Sequence, residues 1–107
     1  GHDISFAHFL GLAPHFQNIG IINFDAHFDI RSPLENNKGT SGSGFAQIKT
    51  YCENENRPYH YTAIGIQHTA NTISLFNRAK TWGVQTLLAQ DLLYRPVQQN
   101  IEWLHTV

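Results

Sequence analysis

The chain has 107 residues, 41% of them hydrophobic, which suits one compact α/β unit and falls short of a large sheet built around a deep catalytic site. Charged residues make up 14% and the formal net charge is -1, so neither nucleic acid nor an anionic membrane surface is an expected partner. No apolar run approaches the roughly 18 residues of a membrane span, the first residues lack the pattern of a signal peptide, and the single cysteine, Cys52, excludes an internal disulfide. The cytoplasm is therefore the expected compartment.

In chain order, Ile4 to Phe16 carries apolar residues at close to helical spacing, with Asp3 available as a cap, and predicts a helix. Ile19 to Phe24 is a short, β-branched, nearly continuous apolar run ending at Asp25, the pattern of a central strand buried on both faces of a parallel sheet. Arg31 to Gly44 is rich in turn formers and lacks periodicity, which predicts a long loop. Phe45 to Tyr51 predicts a short helix, Tyr61 to Ile66 a second buried strand, and Thr72 to Trp82 a helix stopped at Gly83. Val84 to Leu88 reads as a third strand, and Val97 onward as a helix. This alternation predicts a mainly parallel sheet covered by helices.

Seven histidines in so short a chain raise the prior for metal or proton chemistry, and position has to decide which of them take part. At the end of the first predicted strand stands Asp25-Ala26-His27-Phe28-Asp29-Ile30-Arg31. Three ligand types at alternate positions project to one side of an extended segment, and a curl of the backbone beyond the strand can make them converge. Carboxylate plus imidazole suits Mn²⁺ or Zn²⁺, and a carboxylate can bridge two ions roughly 3.5 to 4 Å apart. The carboxyl end of a strand is also where open α/β sheets bind ligands. The plainer reading makes Asp25 and Asp29 turn caps and His27 a packing residue.

Asp25-Ala26-His27-Phe28-Asp29 resembles the DAHxD signature of the arginase, agmatinase and formimidoylglutamase superfamily, and Gly1-His2-Asp3 resembles the tail of its GGxH signature. Ile21 to Phe24, Arg31, Gly39-Thr40-Ser41-Gly42 and Gly65-Ile66-Gln67-His68-Thr69 are similar to the formimidoylglutamase branch, so the likeness runs along essentially the whole chain. It implies a three-layer α/β/α arginase-like fold, present here only in part. It also implies a site of two Mn²⁺ ions: His2, Asp25 and Asp29 on one, His27 and the bridging Asp25 on the other. Asp25 and His27 would then be catalytic, holding a shared water that attacks N-formimidoyl-L-glutamate and releases glutamate and formamide in histidine degradation. Arg31 would pair with a substrate carboxylate, or else form a loose surface ion pair. Ser41, Gly42 and Ser43 fall in the substrate loop of the superfamily, or form a plain turn. Gln67 and His68 follow the second strand, where His68 would touch substrate or move a proton, or serve as an ordinary loop residue.

The sequence departs from these relatives in places. Phe45 stands where an arginase would have histidine, and Ser43-Gly44 where formimidoylglutamases commonly have threonine and proline. The DxD-like pattern that supplies two further metal aspartates is absent, Asp91 being isolated, and both ends look cut, so residues 1–107 are expected to be part of a ureohydrolase domain truncated at both ends. Homo-oligomerisation of the full-length protein is expected from the resemblance alone. Agmatinase or another guanidino hydrolase, a non-catalytic metal-binding module, and a structural relative that has lost its metals are the alternatives. His8 is a packing or supporting residue on this reading, His15, His60 and His105 have no partner pattern, and Cys52 reads as an inert thiol.

Overall fold

A computed structural model describes residues 4–32 and 42–107, which fall into two compact units. Asp3, the expected cap of the first helix, lies outside the described residues, as does most of the expected loop.

The first unit comprises, of the described residues, 4–20, 28–32 and 42–60. Its helices are α1 (Ser5–Leu12) and α2 (Gly44–Asn54), which pack on each other, with Phe9 edge-on to Tyr51 at 6.0 Å. The expected helix over residues 4–16 is cut short at Pro14, which has no N–H to continue the ladder after Ala13 N–H bonds Phe9 O at 2.9 Å. Helix α2 runs longer than expected. Phe45, Ile48 and Cys52 line its buried face at helical spacing, and it ends in a Schellman turn in which Arg57 N–H reaches Cys52 O at 2.8 Å. Asn56 takes the left-handed position of that turn at φ 54. The Arg57 side chain then bonds the carbonyls of Phe16 (2.8 Å) and Ala13 (2.6 Å), satisfying acceptors that α1 leaves open at its carboxyl end. Phe28 and Ile30 are fully buried.

The second unit, residues 21–27 and 61–107, carries a three-stranded parallel sheet. Its order is β1 (Gly20–Phe24), β2 (His60–Ile66), β3 (Gln85–Leu88). Strand β2 is central and almost wholly buried. It pairs in parallel with β3 through Thr62 with Gln85, Ala63 with Thr86 and Ile64 with Leu87, after which the register slips at Gly65 so that Ile66 pairs with Leu88. Beyond β1 the bonds to β2 run forward in the same sense, from Asp25 N–H to Ile64 O (3.0 Å) and from Gln67 N–H to Ala26 O (3.2 Å).

Strand β1 was expected to be central and buried on both faces; among the described residues it lies at the edge of the sheet. Ile22 is 56% and Phe24 75% exposed, while Asn23, on the opposite face, is buried and donates from Nδ2 to Tyr61 Oη at 3.1 Å. An apolar run records what a strand is made of and not how many neighbours it has, and among the described residues nothing covers the Ile22–Phe24 face.

Helix α3 (Ile73–Thr81) is capped by Thr72, whose hydroxyl accepts from Leu75 N–H, and it stops at Gly83 as expected. There φ is +70 and Val84 N–H bonds Ala79 O at 2.9 Å, completing a Schellman turn. Two helices follow β3: α4 (Ala89–Tyr94), which the sequence reading lacked, and α5 (Val97–Leu104) beyond Pro96. Asp91, taken from sequence as an isolated carboxylate, lies in the first turn of α4 and pairs with Arg95 at 3.3 Å. Among the described residues no helix is long and apolar enough to cross a membrane.

Candidate metal centre

Strand β1 delivers Asp25 to the end of the sheet, where its backbone is still bonded to Ile64. The chain then curls through residues 25–27, and one carboxylate oxygen, Asp25 Oδ1, accepts from His27 N–H at 3.0 Å while standing 3.3 Å from His27 Nδ1. Asp25 is 30% and His27 57% exposed at the side chain, so the pair is open to solutes. The curl anticipated from the alternating ligands is present, and it closes on the first two of them.

Two residues of the second unit, Gly65 and Asn71, hold this turn. Gly65 has φ +92, a conformation closed to most side chains, and it forms the bulge at which β2 slips relative to β3. Its Cα lies against the turn: a Cβ there would sit 3.5 Å from Asp25 O. Asn71, between the 3-10 turn His68–Ala70 and α3, donates from Nδ2 to Ala26 O at 2.8 Å and to Gln67 O at 2.9 Å. Sequence reasoning missed both residues. An isolated glycine within a strand pattern signals a bulge and marked Gly65 in principle; Asn71 has no local signal.

In the first unit, Asp29 has φ 55 and its carbonyl accepts from Phe45 N–H at 3.2 Å, satisfying a donor at the start of α2. Arg31 N–H bonds Gly42 O at 2.8 Å, so the two ends of the segment between them are tied together, and the Arg31 residue is exposed. Ser43, expected to contact substrate, is buried at the N-cap position of α2, where its hydroxyl meets protein rather than solvent. His2 and Ser41 lie outside the described residues. His68 is exposed, and its ring stacks on Phe76 at 4.9 Å with an interplanar angle of 24°. Cys52 is a buried free thiol: burial pushes its pKa up, against a smaller lowering by the charges of Arg57 and Lys49.

Among the described residues no three of His, Cys, Asp and Glu are grouped to hold a metal ion. Two donors are adjacent, however, and their spacing fits a shared cation. Oxygen and nitrogen ligands about 2.1 Å from one ion stand about 3.0 Å apart in octahedral and about 3.4 Å apart in tetrahedral coordination. The Asp25 Oδ1 to His27 Nδ1 distance of 3.3 Å lies between these. A carboxylate with an imidazole is also the donor chemistry of manganese and zinc sites.

The sequence matches the arginase family over residues 1–106. It is 49% identical over 104 residues to a formimidoylglutamase of Legionella pneumophila, covering 97% of this chain and 33% of that protein. It is 40% identical over 100 residues to one of Clostridium tetani, covering 88% of this chain and 29% of that protein. The chain thus spans about a third of the length of these curated relatives. In fold it is similar to the crystal structure of Trypanosoma cruzi formiminoglutamase with Mn²⁺, at a TM-score of 0.77 and 19% identity over 95% of this chain and 34% of that one. The parallel sheet, its flanking helices and this likeness give an arginase-like α/β fold, and the chain belongs to the arginase family.

Proposed function

We propose that this chain forms part of a manganese-dependent formimidoylglutamase that converts N-formimidoyl-L-glutamate and water into L-glutamate and formamide, a step of histidine degradation. The observation that carries the reading is the Asp25–His27 pair, held at the end of β1 with its donor atoms 3.3 Å apart in a chain 49% identical to a formimidoylglutamase. Asp25 and His27 hold manganese on this reading, together with His2 and Asp29. When bound, the metal supplies activation of water at neutral pH and polarisation of the amidine.

The other groups of the chain bind and orient. Arg31 is exposed just past the metal loop and presents a guanidinium suited to a two-point bond with a substrate carboxylate. On this reading Ser41 and Gly42 would offer a hydroxyl and a backbone N–H to the same anion, while Ser43 is buried at the N-cap position of α2. On this reading His68, whose ring stacks on Phe76, would pass a proton or contact substrate. A dicarboxylate tail distinguishes the proposed substrate from agmatine, whose cationic tail Arg31 would repel. The protein acts in the cytoplasm, as a homo-oligomer.

The test is hydrolysis of N-formimidoyl-L-glutamate, agmatine and arginine with added Mn²⁺ by the protein containing this chain, beside its Asp25→Asn variant. Release of glutamate from the first substrate alone is expected, falling at least about a thousandfold in the variant, as loss of metal-ion stabilisation worth several kcal/mol implies. Turnover of agmatine or arginine in preference would overturn the substrate, and activity unchanged in Asp25→Asn would overturn the metal role.

A further inference from the structure

The geometry points to Asn71 as a positioning residue, whose amide clamps the Asp25–His27 turn to the end of β2 and sets how well that pair takes a divalent cation. The inference rests on the metal reading above and adds a residue 45 positions from the turn it holds.

One peptide plane transmits the effect. Ala26 C=O and His27 N–H belong to the same rigid unit, so fixing the direction of one fixes that of the other. Asn71 Nδ2 bonds Ala26 O at 2.8 Å, and Gln67 N–H bonds the same oxygen at 3.2 Å. On the far side of the plane, His27 N–H donates to Asp25 Oδ1 at 3.0 Å, the oxygen that stands 3.3 Å from His27 Nδ1. Holding the carbonyl therefore aims the N–H, and the N–H aims the carboxylate at the imidazole.

Asn71 is suited to this by composition. Its amide nitrogen carries two hydrogens, and both acceptors, Ala26 O and Gln67 O, lie within 2.9 Å. Its own backbone is extended at φ -137, immediately before the Thr72 cap of α3, so the amide is anchored to a helix. The side chains of Asp25 and His27 are 30% and 57% exposed, so hydrogen bonds contribute to their orientation.

The experiment compares the unsubstituted protein with Asn71→Ala, Asn71→Asp and Gly83→Ala. The last variant destabilises α3 at its far end, where φ is +70, without touching the turn. Asn71→Asp keeps the shape and replaces the two N–H donors with an oxygen facing two carbonyl oxygens. Two readouts are taken: amide hydrogen exchange at His27 and Gln67 without metal, and Mn²⁺ affinity from the electron paramagnetic resonance of the free ion. Both Asn71 variants should lose at least about tenfold in Mn²⁺ affinity, the lower end of what supporting groups around a metal contribute, and lose exchange protection at the two amides. Gly83→Ala should change neither.

Unchanged protection and affinity in folded Asn71 variants would overturn the inference, as would an equal loss in Gly83→Ala. Failure of the unsubstituted protein to bind Mn²⁺ would overturn the metal reading and the affinity half of this inference. The exchange measurement then decides the clamp by itself.

Discussion

Gly65→Ala places a methyl group at the bulge beside the candidate metal turn. Its φ of +92 lies off the wells open to L-residues, and holding a side chain there costs of order 1–3 kcal/mol. The new Cβ would meet Asp25 O at 3.5 Å and Asp25 C at 3.9 Å, ordinary van der Waals distances, so contact adds no further cost. Alanine also narrows the unfolded ensemble, which offsets about 0.4–1 kcal/mol. The net expectation is a loss between about 0 and about 2.6 kcal/mol, centred near about 1.3 kcal/mol, at roughly 4–8 °C in Tm per kcal/mol for a chain near this size. Gly20→Ala is the control. Gly20 begins β1 with no positive φ and nothing within 4 Å of its Cβ position, so the same substitution should stabilise by a few tenths of a kcal/mol, up to about 1. Urea unfolding followed by the fluorescence of Trp82 and Trp103 measures both, with the midpoint shifting and the slope unchanged. A gain in stability at Gly65, like that expected at Gly20, would refute the strained-bulge assignment. A loss well above about 3 kcal/mol would show that the contact with Asp25 is not ordinary.

Arg57→Ala removes two charged hydrogen bonds to the end of α1, at 2.6 and 2.8 Å, and at about 1 kcal/mol each with partial exposure the loss should be about 1–3 kcal/mol. Arg57→Lys should recover less than half, because one ammonium cannot reproduce the fork, and full recovery in urea unfolding would refute the two-carbonyl role. For Cys52, burial raises the thiol pKa, so the folded state keeps its proton to higher pH than the unfolded chain does. The stability this confers is intact below the unfolded value and is lost as pH rises through the folded one. Stability of Cys52→Ala relative to the unsubstituted protein should therefore climb in the alkaline range; a flat difference would refute the burial argument.

How far the fold was legible depended on how local each determinant is. Helix α3 was readable because the apolar spacing of its residues, the Thr72 cap and the Gly83 stop all lie within one segment. The end of α1 was misjudged because apolar periodicity outvoted Pro14, and α2 because Glu53 and Asn54 extend the helix without adding to its apolar face. Helix α4 was missed for a different reason: it begins directly on Leu88, the last residue of β3, with no side-chain cap, and Leu93 and Tyr94 stay exposed so that no buried stripe marks it. The place of β1 at an edge is a property of pairing, which composition does not record. At the site, Asp25 and His27 were legible as ligand types two residues apart, whereas His2 and Ser41 lie outside the described residues.

The contrast between the pair and its supports has a physical origin. Candidate ligands are recognised by side-chain type and short spacing, so Asp25 and His27 can be picked out as candidates within one turn of backbone. Ligand direction is set by whatever holds the backbone there, and the strand bond to Ile64, the bulge at Gly65, and the bonds from Gln67 and Asn71 all come from about 40 residues downstream, as a parallel crossover requires. Each support acts on main-chain atoms, whose chemistry every residue shares, so none imposes a recognisable pairing of side chains on the sequence. A site of this construction shows its donors plainly and conceals its geometry. Substitutions at Gly65 and Asn71 should accordingly alter metal affinity while every candidate ligand remains in place.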